Sequence, residues 1–84
     1  MINMFNEQIM YRGQNNKIPN FDKFTGFSRL LSDAKWYAKQ RVKDYGFGKP
    51  YVFVVKAHFK KDIKDYYYLC DYKKFEVIKI IKLF

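Results

Sequence analysis

The chain has 84 residues, 49% hydrophobic and 21% aromatic, and carries a net charge of +9 from 17 Lys+Arg against 8 Asp+Glu. That length makes one domain, residues 1–84, whose small core is compensated by rings that each remove roughly 150–250 Å² from water. Gly 4 and Pro 2 are too few for a disordered chain, the lone Cys70 excludes an intrachain disulfide and a cysteine-based zinc site, and no apolar run reaches the ~18 residues of a membrane-spanning helix.

In chain order, residues 4–12 read as a first strand that ends in Ile9-Met10-Tyr11 and then Arg12. Gly13 to Asn20 is dense in turn formers and reads as a loop. Phe21, Phe24 and Phe27 recur at intervals of three, but Gly26 favours a loop entering a short strand at Phe27-Ser28. Over residues 30–45, Leu30/Leu31, Ala34, Tyr37/Ala38, Arg41/Val42 and Tyr45 form the stripe of an amphipathic helix, with Ser28 or Ser32 as cap and Gly46 as stop. Tyr51 to Phe59 is β-branched or aromatic almost throughout and predicts a central strand buried on both faces. Residues 60–65 read as a charged turn or short helix. Residues 66–72 fit a strand or a helix, with an edge strand preferred, and 75–84 read as a final strand. The class is α+β: a small twisted sheet with one main helix at about 30–45.

Candidate functional residues each carry two readings. Arg12 offers a rigid fork of donors suited to phosphate or ribose oxygens, and alone it reads as an ordinary surface arginine. Ser28 could hold a ligand oxygen or a carboxylate, or cap the helix. Glu76, one of two glutamates with Glu7, is placed either to accept hydrogen bonds from a sugar and steady an oxocarbenium-like centre, or to balance Lys73, Lys74 and Lys79 on an exposed strand. Tyr66-Tyr67-Tyr68 beside Lys60, Lys61 and Lys64 reads as edge-strand packing or as a basic base-stacking surface. His58, the sole histidine, has no nucleophile elbow near any serine, its pairing with Cys70 has no signature, and the dispersed aspartates give no metal-ligand spacing. The glycines fit neither the dinucleotide fingerprint nor a Walker pattern.

Taken together, Tyr11-Arg12-Gly13-Gln14, Phe27-Ser28 with Ala34, Tyr37 and Ala38, the Tyr51–Ala57 run and Phe75-Glu76-Val77-Ile78 resemble the ADP-ribosyltransferase fold family over roughly residues 8–80. The resemblance implies an Arg-Ser-Glu site: Arg12 on a phosphate or ribose of NAD, Ser28 positioning the nicotinamide ribose or the glutamate, and Glu76 catalytic. Phe27 or Tyr37 would stack on nicotinamide. The implied activity splits the nicotinamide–ribose bond and passes ADP-ribose to a macromolecule. Position 74 is Lys, so the Glu-x-Glu of the arginine-modifying branch is absent, and Ser28 is followed by Arg29 where many members keep a small polar residue.

Two other functions stay open: an inactive member that keeps the fold as a basic binding surface and inhibits a nucleic-acid-handling partner, or a direct nucleic-acid binder. The charge favours anionic partners, among them a nucleic acid, a phosphorylated cofactor, an acidic protein face or an anionic membrane, and the expected partner is a macromolecule with an acidic face, with nucleic acid possible and no membrane. The N-terminus lacks a basic segment followed by a long apolar core, so the expected compartment is the cytosol, in a setting such as a phage or mobile-element protein acting on a host factor.

Overall fold

The computed structural model describes residues 6–62, 64 and 66–84. Strand β1 (Gln8–Gln14) is followed by helix α1 (Leu31–Tyr45) and strands β2 (Tyr51–Ala57), β3 (Phe59–Lys61), β4 (Tyr67–Leu69) and β5 (Glu76–Lys82). β2 lies between β1 and β5 in an antiparallel sheet, and β3 pairs with β4 in a second one. Two residues join them, since Ser28 bridges to Tyr11 of β1 and Phe27 to Tyr67 of β4. The α+β class and the single long helix agree with the sequence.

β2 is central because its residues are apolar on both faces. Phe53, Val55 and Ala57 enter a cluster with Met10, Phe21, Phe27 and Leu69. Val52 points the other way, into the layer formed by Ala34 and Ala38 of α1. The aromatic cluster is knit by edge and tilted ring contacts: the Phe21 ring lies 5.1 Å from Phe27, 5.7 Å from Phe53 and 4.8 Å from Phe75, and Phe27 lies 5.0 Å from Phe59. Such pairs contribute roughly 0.5–1.5 kcal/mol each beyond their buried area.

The helix lies on β1 because small residues meet there. A Cβ added to Gly13 would overlap the Ala34 carbonyl oxygen and reach 3.0 Å from Ala38 Cα. Only Ala34 and Ala38 of α1 are buried, so the stripe predicted from Leu30 to Tyr45 is narrower in the fold, and both of those end residues are exposed. Gly46 closes the helix in the left-handed region at φ 75, with its N–H on the Val42 carbonyl.

Several predicted boundaries shift. The first strand begins at Gln8 and runs on through Gly13 and Gln14, which the sequence assigned to a loop; Met4 and Phe5 lie outside the described residues. The 51–59 run breaks at His58, where the chain leaves β2 and pairs Phe59 with Leu69. Lys60 and Lys61 belong to β3, whereas Ile63 and Asp65 of the predicted charged turn lie outside the described residues. Residues 67–69 are the strand form of the 66–72 ambiguity. β5 carries an irregularity opposite Val54/Val55, with Ile78 as its extra residue. No helix among the described residues is long and apolar enough to cross a membrane.

Candidate functional site

Antiparallel pairing leaves one side of β1 open. Tyr11 exchanges both backbone hydrogen bonds with Ser28, each at 2.9 Å, but Gly13, two residues on and facing the same side, has no strand partner there. Its carbonyl is satisfied by a side chain instead: Arg41 Nε of α1 donates to it at 2.9 Å. The gap between this edge, the helix and the 22–28 segment is a cleft of about 360 Å³.

Arg12 occupies that gap. Its Nη1 donates to the Gly26 carbonyl at 3.2 Å and its Nε approaches Gln14 Oε1 at 3.4 Å. Gly26 is presented by a tight turn in which Asp22 Oδ1 accepts from the Phe24 N–H at 2.8 Å and Thr25 Oγ1 accepts from the Asp22 N–H at 2.9 Å. Burial, and then the neighbouring Arg41 charge, lower the Arg12 guanidinium to about 10, with Tyr45 and then Asp22 offsetting this in part. Neither arginine forms an ion pair with a described residue, and no described carboxylate lines the cleft. Two cations share this space, and no carboxylate among the described residues lines it.

The walls are aromatic. Phe24, Tyr37, Tyr66 and Tyr68 line the cleft, and the Tyr37 and Tyr66 hydroxyls are 3.2 Å apart. That hydrogen bond is the main cause that raises the Tyr37 phenol above its ordinary value. Phe24 is 76% exposed and Trp36, whose ring meets Tyr37 edge-on at 5.2 Å, is 59% exposed.

Of the residues singled out in the sequence, Arg12, Phe27, Ser28 and Tyr37 all line this one cleft. Phe27 contributes to its floor, but its ring is 2% exposed and belongs to the aromatic core, so of the two predicted stacking rings Tyr37 is the accessible one. The Ser28 hydroxyl accepts from the Leu30 N–H at 3.1 Å and donates to Asp33 Oδ2 at 3.4 Å. It therefore organises the turn into α1, while Leu30 holds the N-cap position without a side-chain bond.

Glu76 is not brought to the cleft. It pairs with Lys56, which pairs with Ile9, whereas Arg12 pairs with Phe53. Glu76 is thus two strands across and three residues along from Arg12, roughly 10 Å in each direction. Strand alternation also puts Phe53 and Lys56 on opposite faces, so Glu76 shares the face of Lys56 and not that of Arg12. Its carboxylate is exposed among lysines. His58 and Cys70 lie elsewhere, exposed at the β2–β3 break and after β4, joined only through the backbone.

Arg41, Tyr66 and Tyr68 belong to the cleft, yet the sequence pointed to them only obliquely. The available signal for Arg41 was a permanent charge at an apolar-stripe position of the helix, seven residues after Ala34. Comparison with family models, with curated proteins and with solved structures finds no match for this chain.

Proposed function

We propose that the protein is a minimal ADP-ribosyltransferase-like domain whose cleft holds NAD or a related phosphorylated nucleotide as a ligand, and that it acts as a binding module and not as a transferase. One observation carries the reading: two guanidiniums, with no carboxylate lining the site among the described residues, face an aromatic cleft that also holds Ser28. Guanidinium forks match phosphate oxygens, and exposed rings accept a planar base. The fold name comes from the resemblance of the Tyr-Arg-Gly, Phe-Ser and Ala-x-x-Tyr-Ala segments. The non-catalytic half of the proposal rests on the separation of Glu76 from Arg12, two strands across and three residues along, because a carboxylate that far from the guanidinium does not steady a cationic sugar carbon held beside it. A net charge of +9 would direct such a module to the acidic face of a macromolecular partner, such as a nucleic-acid-handling host protein.

Calorimetric titration with NAD and incubation with labelled NAD in host lysate test this together. Wild type should bind NAD, Arg12→Gln should bind it at least about tenfold more weakly, and no label should transfer. Absence of binding at millimolar NAD would reject the ligand. Label transfer that vanishes in Glu76→Ala would reject the non-catalytic half and restore the transferase reading.

The exposure of Phe24, which lines the cleft, and of Trp36, whose ring meets Tyr37, favours a second reading, a single-stranded nucleic acid stacked on these rings. Its signature is oligonucleotide affinity that falls steeply with salt, and absence of binding at low salt removes it.

A further inference from the structure

We infer that the end of the molecule where α1 stops is a docking surface for an anionic lipid bilayer. Four large apolar side chains stand out of the fold there, Ile18, Tyr45, Phe47 and Phe84, each between 58% and 69% exposed. Strand register gathers them. Gln14 pairs with Tyr51 and Tyr51 with Lys82, so the end of β1, the start of β2 and the end of β5 lie side by side. The Tyr45 and Phe47 rings are 6.2 Å apart, Ile18 and Tyr45 line one hollow, and Phe84 meets Tyr51 edge-on at 5.4 Å. The loop that carries Phe47 is built to hold it out. Phe47 stands between Gly46 and Gly48, whose φ values of 75° and 87° both lie in the left-handed region. Buried Asn15 clamps that loop: its carbonyl accepts from the Lys49 N–H at 3.0 Å and its Nδ2 donates to the Phe47 carbonyl at 3.4 Å. A Cβ on Gly48 would overlap the same Asn15 carbonyl oxygen.

Exposed apolar groups rimmed by charge mark a docking surface, and here the rim selects the occupant. Lys17, Lys43, Lys49 and Lys82 are all exposed around this end, and none has an ion pair among the described residues. Asp44, which accepts from Gln40 at 2.8 Å, is the one side-chain carboxylate in these segments. A second copy would set two lysine rims against each other, and like charges oppose that pairing. A protein partner fits poorly as well, since protein interfaces deplete lysine and take roughly 20–30 residues a side. An anionic bilayer fits both features: rings and Ile18 enter the headgroup region, while lysine stems lie along apolar surface and bring their ammonium groups to phosphates. Lys49 already takes that posture, its Nζ 4.7 Å from the centre of the Phe84 ring. Such a contact needs no spanning segment, so the lack of a long apolar helix among the described residues does not bear on it.

Co-sedimentation with vesicles of phosphatidylcholine alone, and with vesicles containing a quarter of phosphatidylserine, tests this. Wild type should bind the anionic vesicles at least about tenfold more tightly, and added salt should weaken that binding. Phe47→Ala should bind them about tenfold more weakly, the scale of one ring removed from water. Lys17→Gln/Lys49→Gln should lose more affinity than Lys35→Gln/Lys39→Gln, which removes the same charge from exposed positions in the first half of α1. Circular dichroism checks that each variant is folded. Phe47 lines neither the aromatic cleft nor the hollow beside it, so NAD affinity should be unchanged in Phe47→Ala, and the nucleotide reading stands or falls separately. Unaltered vesicle binding by Phe47→Ala, or equal losses in the two lysine pairs, overturns the inference and assigns the attraction to diffuse charge. Failure of wild type to bind either vesicle also overturns it; concentration-dependent association in sedimentation velocity would then assign this end to a second copy.

Discussion

Arg12 charges at a cost that the fold does not recover by itself. Its half-buried guanidinium is lowered to about 10, first by burial and then by Arg41. Above about pH 10 the folded chain binds fewer protons than the unfolded one, whose guanidinium keeps its ordinary higher value, so stability rises with pH from there upward. Below it, at neutral pH, the whole penalty is present. Arg12→Gln should therefore stabilise the free protein at pH 7 by about 1–2 kcal/mol in urea unfolding while weakening nucleotide binding. A destabilised Arg12→Gln protein would show that the bond to Gly26 outweighs the uncompensated charge. The same shift sets a pH profile for binding. Nucleotide affinity should stay level from pH 6 to 9 and decline above about 10 as the free protein loses the Arg12 proton, measurable by calorimetry across buffers. At this scale the sequence was half legible. Arg12 and Ser28 stood out because they belong to short recognisable segments, and both line the cleft. The remoteness of Glu76 did not, because it depends on the pairing Ile9–Lys56–Glu76, and register across three strands has no trace in local spacing.

Among the elements, the contact between α1 and β1 sets the geometry of the cleft. The backbone of the helix comes so close to Gly13 that a methyl group there meets main-chain atoms of Ala34 and Ala38, which cannot rotate aside. Gly13→Ala should cost about 2–3 kcal/mol as the helix is pushed off the strand, and it should lower nucleotide affinity because Arg41 and Tyr37 ride on that helix. Gly46→Ala is the control. It costs about 1 kcal/mol through its left-handed φ, has open space around it, and should leave affinity unchanged. Equal losses of affinity in the two variants would show that stability, and not helix placement, governs the site. The helix was legible to within a residue because fifteen positions of period 3.6 and a glycine stop agree with one another. The end of β2 at Ala57 was hidden inside an unbroken apolar run, since Phe59 is as strand-like as Phe53 although it packs on Phe27 in the other sheet.

The two-sheet arrangement of the whole molecule hangs on Phe27 and Ser28, and a two-residue bridge is too short to carry any periodicity. What the sequence did show at this scale was charge. An excess of nine positive charges on 84 residues opposes compaction, so any salt that screens it should raise the melting temperature. Screening and site binding are separable because they depend on different properties of the anion. At matched ionic strength, chloride and pyrophosphate screen the surface lysines to similar degrees, whereas only pyrophosphate can bridge two guanidiniums. Ligand at ten times its dissociation constant adds about 1.4 kcal/mol, which for a domain of this size is roughly 5–10 °C of melting temperature. Wild type should show that increment in pyrophosphate over chloride, by scanning fluorimetry. Arg12→Gln and Arg41→Gln should each lose most of it while keeping the response to chloride. If both variants keep the pyrophosphate increment, the anion is being held by the scattered lysines, and the cleft is not the origin of the protein's affinity for phosphate.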